Sequence, residues 1–225
     1  MLLKLLSFLE KPQGIFFNFI NFNFNFLIFN SSAVNGGQVG LSDRYVDSIE
    51  WMDKLGALAG KGISAIARQT LCRTQSDSSF NYALINVTQP RPSYYPAVFF
   101  KRLMAATVLP VNMTPGSLRI RPYAFCSKRF SGGVVLLIVN IHDREKVQVQ
   151  LGSELGDLQT AFVFSAEALD SDFLSVNGKV IVVNPDGSFP NLSDFAQTLA
   201  TSTPLVIPSA AYAFIELPNA SHPSC

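Results

Sequence analysis

Charge is scarce in this chain. Only 15% of its 225 residues are Asp, Glu, Lys or Arg, and the formal net charge is +1. No bulk field therefore draws the chain to nucleic acid or to a charged membrane surface. The two histidines, His142 and His222, stand far apart in sequence. The three cysteines, Cys72, Cys126 and Cys225, show no C-x-x-C spacing, so no zinc or other metal site and no cofactor is expected. Length sets a further limit. An eight-stranded α/β barrel takes roughly 250 residues, so this chain cannot hold one beside anything else. Apolar residues are plentiful at 48%, ample for a core. Many Phe, Val and Leu together with low charge suit β-rich packing.

The first half of the chain is organised around the stretch Asn35-Gly36-Gly37-Gln38-Val39-Gly40-Leu41-Ser42-Asp43. From Arg44 to Leu55 apolar residues return at helical spacing, with Tyr45, Ile49, Met52 and Leu55 on one stripe and Val46 and Trp51 at its edge. Ser42 or Asp43 can cap the helix start, and Gly56 is placed to end it. Lys61 to Leu71 then reads as a short strand ending near Arg68-Gln69. A Gly-rich loop, a helix and a strand make the repeating unit of an α/β barrel or an open parallel sheet. After the breaker cluster Pro90 to Pro96, the run Ala97 to Ala106 reads as another helix. Its Lys101-Arg102 pair reads as a solvated face or as a polyanion patch, and Arg119, Arg121, Lys128 and Arg129 carry the same ambiguity.

From Ser117 the pattern turns to strands. Ser117–Cys126 and Lys146–Leu151 alternate, and Gly133–His142 is apolar enough for burial on both faces. Gln159–Phe164 comes next, Asn177-Gly178 is a hairpin turn, and Pro204–Leu217 supplies a final strand. His142, at a strand end among apolar neighbours, reads as structural. Short strands between Gly, Pro and Asn turns predict an antiparallel β-sandwich. Five glycosylation sequons begin at Asn30, Asn86, Asn112, Asn191 and Asn219 and lean towards a secreted glycoprotein.

Three motifs in the first half are specific: Gly-Gly-x-x-x-Leu-Ser-Asp from Gly36, Trp-Met-Asp-Lys-Leu-Gly from Trp51, and Ile-x-x-x-x-Arg-Gln from Ile63. Together they resemble the heparanase-type glycoside hydrolases, secreted endo-β-glucuronidases that cut heparan sulfate. The resemblance runs from about Ser31 to the last residue. It implies the C-terminal end of a (β/α)8 TIM barrel over residues 31–109 and a β-sandwich over 110–225, with the N-terminal part of the barrel as a missing partner. It implies a glycosaminoglycan substrate, and a secreted, matrix or lysosomal location. It also makes Asn35, Gly36, Gly37, Gln69 and Tyr82 the sugar-facing set. Read without it, the glycines are a helix-entry turn, Gln69 a strand-end polar residue and Tyr82 a packing residue. The family links a cysteine of the first long sandwich strand to one at the extreme C-terminus, places held here by Cys126 and Cys225. Cys72 is then expected to be unpaired and buried.

The resemblance also exposes a loss. In the family the run before the glycines reads Glu-Thr-Ser-Ser-Ala-Tyr-Gly-Gly-Gly, and its Glu is the nucleophile. Here Phe29 stands at that position. The family's acid/base, on an Asn-Glu-Pro motif, has no counterpart. Retaining glycosidases need both carboxyl groups, about 5 Å apart, so the chain as written is expected to be inactive. A non-catalytic heparan-sulfate binder and a membrane-tethered pseudoenzyme are the alternatives. Residues 1–30 do not resemble the family. Their Phe/Ile/Asn alternation is expected to be the mis-set start of a gene, with a hydrophobic anchor through residues 1–29 as the remaining reading. A hydropathy profile alone reads that stretch as membrane-spanning. Asn18, Asn21, Asn23 and Asn25 are costly in lipid.

Overall fold

The computed structural model describes residues 37–73, 81–112, 117–152 and 155–225, and the backbone alone at 26–30 and 69. The chain divides into two compact units, one of residues 1–98 with 168–173, the other of 99–167 with 174–225.

In the first unit, β1 (Phe26–Asn30) and β2 (Ala65–Gln69) pair in parallel, Phe26 opposite Ala65 and Asn30 opposite Gln69. Parallel neighbours need a crossover, and α1 (Tyr45–Gly60) supplies it. The strand β1 lies inside the leader that the sequence sets apart at residue 30. Three two-residue strands, β3 (Cys72–Arg73), β4 (Ile85–Asn86) and β5 (Gln89–Pro90), form a small sheet of their own. Neither of these sheets closes into a barrel among the described residues.

Helix α1 buries Tyr45, Ile49, Met52 and Leu55, together with Trp51. Its ends differ from the sequence expectation. Gly56 is buried inside the helix and does not end it. The chain runs on to Gly60 and closes in a Schellman motif around Gly62 (φ +79°), with Gly62 N–H donating to Ala59 O and Ile63 N–H to Leu58 O. At the other end the N-cap is Arg44, without a side-chain bond. The free N–H groups of Tyr45 and Val46 donate instead to Ser171 O (3.0 Å) and Leu169 O (2.9 Å), more than a hundred residues away. The side chains of Ser42 and Asp43 instead accept hydrogen bonds from the preceding loop. Cys72 is exposed, not buried. Strand alternation turns it outward between the half-buried Leu71 and Arg73.

Helix α2 (Tyr94–Leu103) begins within the breaker cluster. Pro96 sits in its first turn, where a missing N–H costs nothing. The helix stops at Leu103 because β6 (Met104–Leu109) takes the backbone into a strand.

The second unit is built on one sheet of eight strands. Besides β6 these are β7 (Ile120–Ser127), β8 (Val134–Asn140), β10 (Leu158–Ser165), β11 (Ser175–Val176), β12 (Lys179–Val180), β13 (Gln197–Ala200) and β15 (Ala211–Leu217). All its pairings are antiparallel, in the order β12-β11-β10-β15-β8-β7-β6, with β13 also on β10. A separate pair, β9 (Val147–Val149) and β14 (Leu205–Ile207), packs on one face of the sheet through Leu205, Ile207, Val147 and Val149. That face presents Ala124, Leu136, Ile138, Ala161, Ala213 and Ile215. On the other face Phe99 of α2 packs edge-on to Phe162 and Phe164 at 5.2 and 4.9 Å, and Phe100 packs against Phe125 at 5.3 Å. Every residue of β8 and β15 is buried, as two covered faces require.

Pro204–Leu217 is two strands, not one. Pro208 cannot donate to a ladder, and Ala210 turns through φ +46°, so β14 pairs with β9 while β15 enters the centre of the large sheet. The Asn177-Gly178 turn takes φ of 50° and 77°, and the Asn177 side chain bonds Ala161 O, Phe195 O and Val163 N–H. Cys126 and Cys225 are disulfide-bonded across a sequence separation of 99, pinning the tail to β7. Closing such a loop stabilises by up to about 4–5 kcal/mol in the chain-entropy model.

Among the described residues of this unit, one charged side chain is buried. Glu216, on β15, is 1% exposed and accepts from Arg129 Nη1 at 3.0 Å. Burial pushes its carboxyl above the ordinary 4.5, against the opposing pull of Arg129. Below pH 4.5 the group is protonated folded or unfolded. As pH rises the unfolded chain ionises first, so stability falls until the folded-state value is passed. Denaturant unfolding from about pH 4 to 8 should show this decline in the native chain and a flatter profile in Glu216→Gln. Equal slopes would contradict it.

Candidate functional site

Parallel α/β units place ligand contacts at the carboxyl ends of their strands. Here Asn30 and Gln69 end β1 and β2 side by side, and Phe29 is in register with Arg68. The loop between β1 and α1 starts at this end. Asn35 and Gly36, within it, lie outside the described residues.

The loop from Gly37 is fixed by its own short side chains. Gln38 N–H donates to Ser42 Oγ (2.8 Å), Ser42 N–H returns a bond to Gln38 O (2.9 Å), and Gly40 N–H donates to Asp43 Oδ1 (2.7 Å). Gly37 has φ +85°, and a Cβ there would come within 2.9 Å of both Ser42 and the Tyr82 ring. Conformation and space both demand glycine. The structure thus brings Gly37 and Tyr82 together, with Tyr82 1% exposed beside the loop.

Two buried arginines set the backbone that carries Tyr82. Arg68 donates to Tyr82 O from Nη2 (3.0 Å) and Nε (3.4 Å). Arg91 donates to the carbonyls on either side, Asn81 O and Ala83 O. Three successive carbonyls are therefore held. Arg68 in turn is paired with Asp47 of α1, and Ser93 Oγ donates to the same carboxylate oxygen. The Arg68 guanidinium also lies 5.1 Å from the centroid of the Trp51 ring. Both members of the ion pair have side chains at most 2% exposed.

Sequence pattern alone does not reveal this network. Arg68 belongs to the Ile-x-x-x-x-Arg-Gln motif, but nothing local marks Asp47 or Ser93 as its partners. A carboxylate on the buried face of a predicted helix is the available signal, since such a charge requires a counterion.

Asp47 and Glu216 are the buried carboxylates among the described residues. They belong to different units, and each is engaged by an arginine. His142 is partly exposed, with Nδ1 3.5 Å from Glu145. The sequon residues Asn86, Asn112, Asn191 and Asn219 are exposed, although Asn219 Nδ2 donates to Asp157 Oδ1 (2.7 Å). No group of three or more His, Cys, Asp or Glu among the described residues could hold a metal ion. No described helix is long and apolar enough to cross a membrane, and the anchor reading of residues 1–29 falls largely outside the described residues.

Solved glycoside hydrolases share this fold. The arabinose-bound family 51 α-L-arabinofuranosidase MgGH51 superposes with a TM-score of 0.57 at 12% identity, over 80% of this chain and 28% of that one. The Thermotoga maritima α-L-arabinofuranosidase in complex with arabinose gives 0.53 at 10% identity, over 84% and 42%. In sequence the chain is 28% identical to inactive heparanase-2 of Homo sapiens over 209 residues, 84% of this chain and 34% of that protein. It is 29% identical to heparanase of Gallus gallus over 204 residues, 86% and 38%. It is 27% identical to baicalin-β-D-glucuronidase of Scutellaria baicalensis over 192 residues, 83% and 34%. No family model matches. The chain is a homologue of heparanase and of inactive heparanase-2. It spans about a third of the length of these relatives.

Breaking a buried pair by removing one partner costs about 3–5 kcal/mol. Asp47→Ala should lose that much in denaturant unfolding, and adding Arg68→Met should recover part of it. A loss below about 1 kcal/mol for Asp47→Ala would remove the network from its anchoring role.

Proposed function

We propose that this chain carries part of the framework of a heparanase-like retaining β-glucuronidase, directed at heparan sulfate, and that it performs no cleavage itself. Its similarity to proteins named heparanase and baicalin-β-D-glucuronidase supports the substrate class. The carrying observation is Phe29, which stands at the family's nucleophile position and pairs with Arg68 at the end of the parallel strands. A retaining glycosidase attacks the anomeric carbon with one carboxylate and protonates the leaving oxygen with another. Phenylalanine does neither. The one carboxylate before Asp43 in the sequence is Glu10, and no Asn-Glu-Pro occurs.

On this reading residues 31–109 are the end of a barrel and 110–225 a β-sandwich. The β9–β14 pair against the eight-stranded sheet supports the second assignment. Asn35, Gly36, Gly37 and Gln69 face the sugar, and Tyr82 acts as the buried ring on which Gly37 rests. The disulfide and the four exposed sequons support a secreted or lysosomal glycoprotein. A binding role is left once cleavage is gone, and the similarity to a protein named inactive heparanase-2 favours it.

The purified chain should release no reducing ends from heparan sulfate and no aglycone from a chromogenic β-glucuronide. Heparan sulfate should nevertheless retard it on an affinity column. Turnover proportional to protein concentration would overturn the non-catalytic reading, and failure to bind would overturn the glycan partner.

A further inference from the structure

We infer that residues 168–173, in the connection between β10 and β11, form a strap that positions the glycan-facing loop, with Asp172 and Arg44 as its positioning residues. The inference rests on the reading that the Gly37 loop faces the sugar, and it adds the element that holds the far end of that loop. These six residues belong to the first compact unit, although the chain on either side of them belongs to the second. The strap closes on itself. Ser171 N–H donates to Ala168 O (3.2 Å), and Ala168 N–H donates to Ser171 Oγ (3.1 Å). It buries none of its side chains. Leu169 and Phe173 are 47% and 65% exposed, so core packing is not its contribution. What it offers the first unit is two carbonyls and a carboxylate.

Both carbonyls go to the start of α1, Ser171 O to Tyr45 N–H and Leu169 O to Val46 N–H. Asp172 pairs with Arg44, the residue just before them. Arg44 Nε lies 3.5 Å from Asp43 Oδ1, and that same oxygen accepts from Gly40 N–H at 2.7 Å. Arg44 N–H also donates to Leu41 O (3.2 Å). A continuous polar chain therefore runs from the strap through Arg44 and Asp43 into the loop backbone, while Gly37 at the other end rests against the Tyr82 ring. A helix start ordinarily takes its cap from the side chain of a Ser or Asp just before it. With Asp43 as that cap, the N–H groups two and three positions on would be those of Tyr45 and Val46, the two that the strap holds. Capping by the strap thus leaves Ser42 Oγ and Asp43 Oδ1 to accept from Gln38 and Gly40. Without the strap the same side chains are drawn to the helix, and the loop loses its internal bonds. The two arrangements compete for one set of acceptors.

The test combines amide hydrogen exchange of the full chain with its affinity for a glucuronide-terminated heparan oligosaccharide. Asp172→Asn should speed exchange at Gln38 and Gly40 and weaken binding about two- to fivefold, the range of an exposed ion pair. The sign separates positioning from plain charge. Removing a negative charge that merely repels an anionic ligand tightens binding. Asp172→Glu keeps the carboxylate and should match the native chain. Asp170→Asn removes the same charge from the same strap but leaves the Arg44–Asp172 pair, and should not weaken binding. Unchanged exchange at Gln38 and Gly40 in Asp172→Asn overturns the strap, whatever the glycan does, and so does tighter binding by that variant. Faster exchange in Asp172→Asn, with no binding of the oligosaccharide by the native chain, upholds the strap's hold on the loop and overturns the glycan partner.

Discussion

A charge buried on a helix must find its counterion, and in this chain that requirement ties one unit together. Asp47 faces inward from α1, so the strand beside it must bring a cation. Arg68 does so, and its Nε and Nη2 also donate to the backbone at Tyr82. Ser93, just before α2, donates to the same carboxylate oxygen. Helix, strand, hairpin and second helix are thus fixed through one guanidinium and one carboxylate. The Gly37 loop inherits its position from the Tyr82 ring beneath it. Such pairs specify geometry more surely than they add net stability.

The second unit is held differently. Its central strands β8 and β15 are covered on both faces, by β9–β14 on one and by the aromatic cluster around Phe99 on the other. Polar side chains there serve as fasteners where strands end. Asn140 donates to Glu145 O and Pro208 O, and Gln159 donates to Ala200 O and Thr203 O. The disulfide then fixes the tail that no strand holds.

Local features are legible in the sequence. The stripe of α1, the apolar run of β8 and the Asn177-Gly178 turn each arise from periodicity or from a single backbone requirement. Non-local ones are not. The start of α1 is capped by carbonyls of residues 169 and 171, so the capping role that Ser42 and Asp43 suggest is filled by a distant segment. Gly56 suggests a helix end, but packing carries the helix past it. Cysteine is usually buried, whereas the pleat turns Cys72 out. In the candidate site, the family resemblance points to Gly37 and Tyr82 but not to Asp47 and Ser93. The role of Asp47 depends on Arg68, 21 positions away, and that of Ser93 on Asp47, 46 positions away.

On the function proposed above, the positioning frame is kept and the nucleophile is lost. Backbone amide resonances of the chain, followed while a glucuronide-terminated heparan oligosaccharide is titrated in, test both halves in one sample. The expected result is shifts concentrated at Gly37, Gln69 and their neighbours, with the oligosaccharide signals unchanged over time. Conversion of the oligosaccharide, or binding that leaves the strand ends unperturbed, would contradict it.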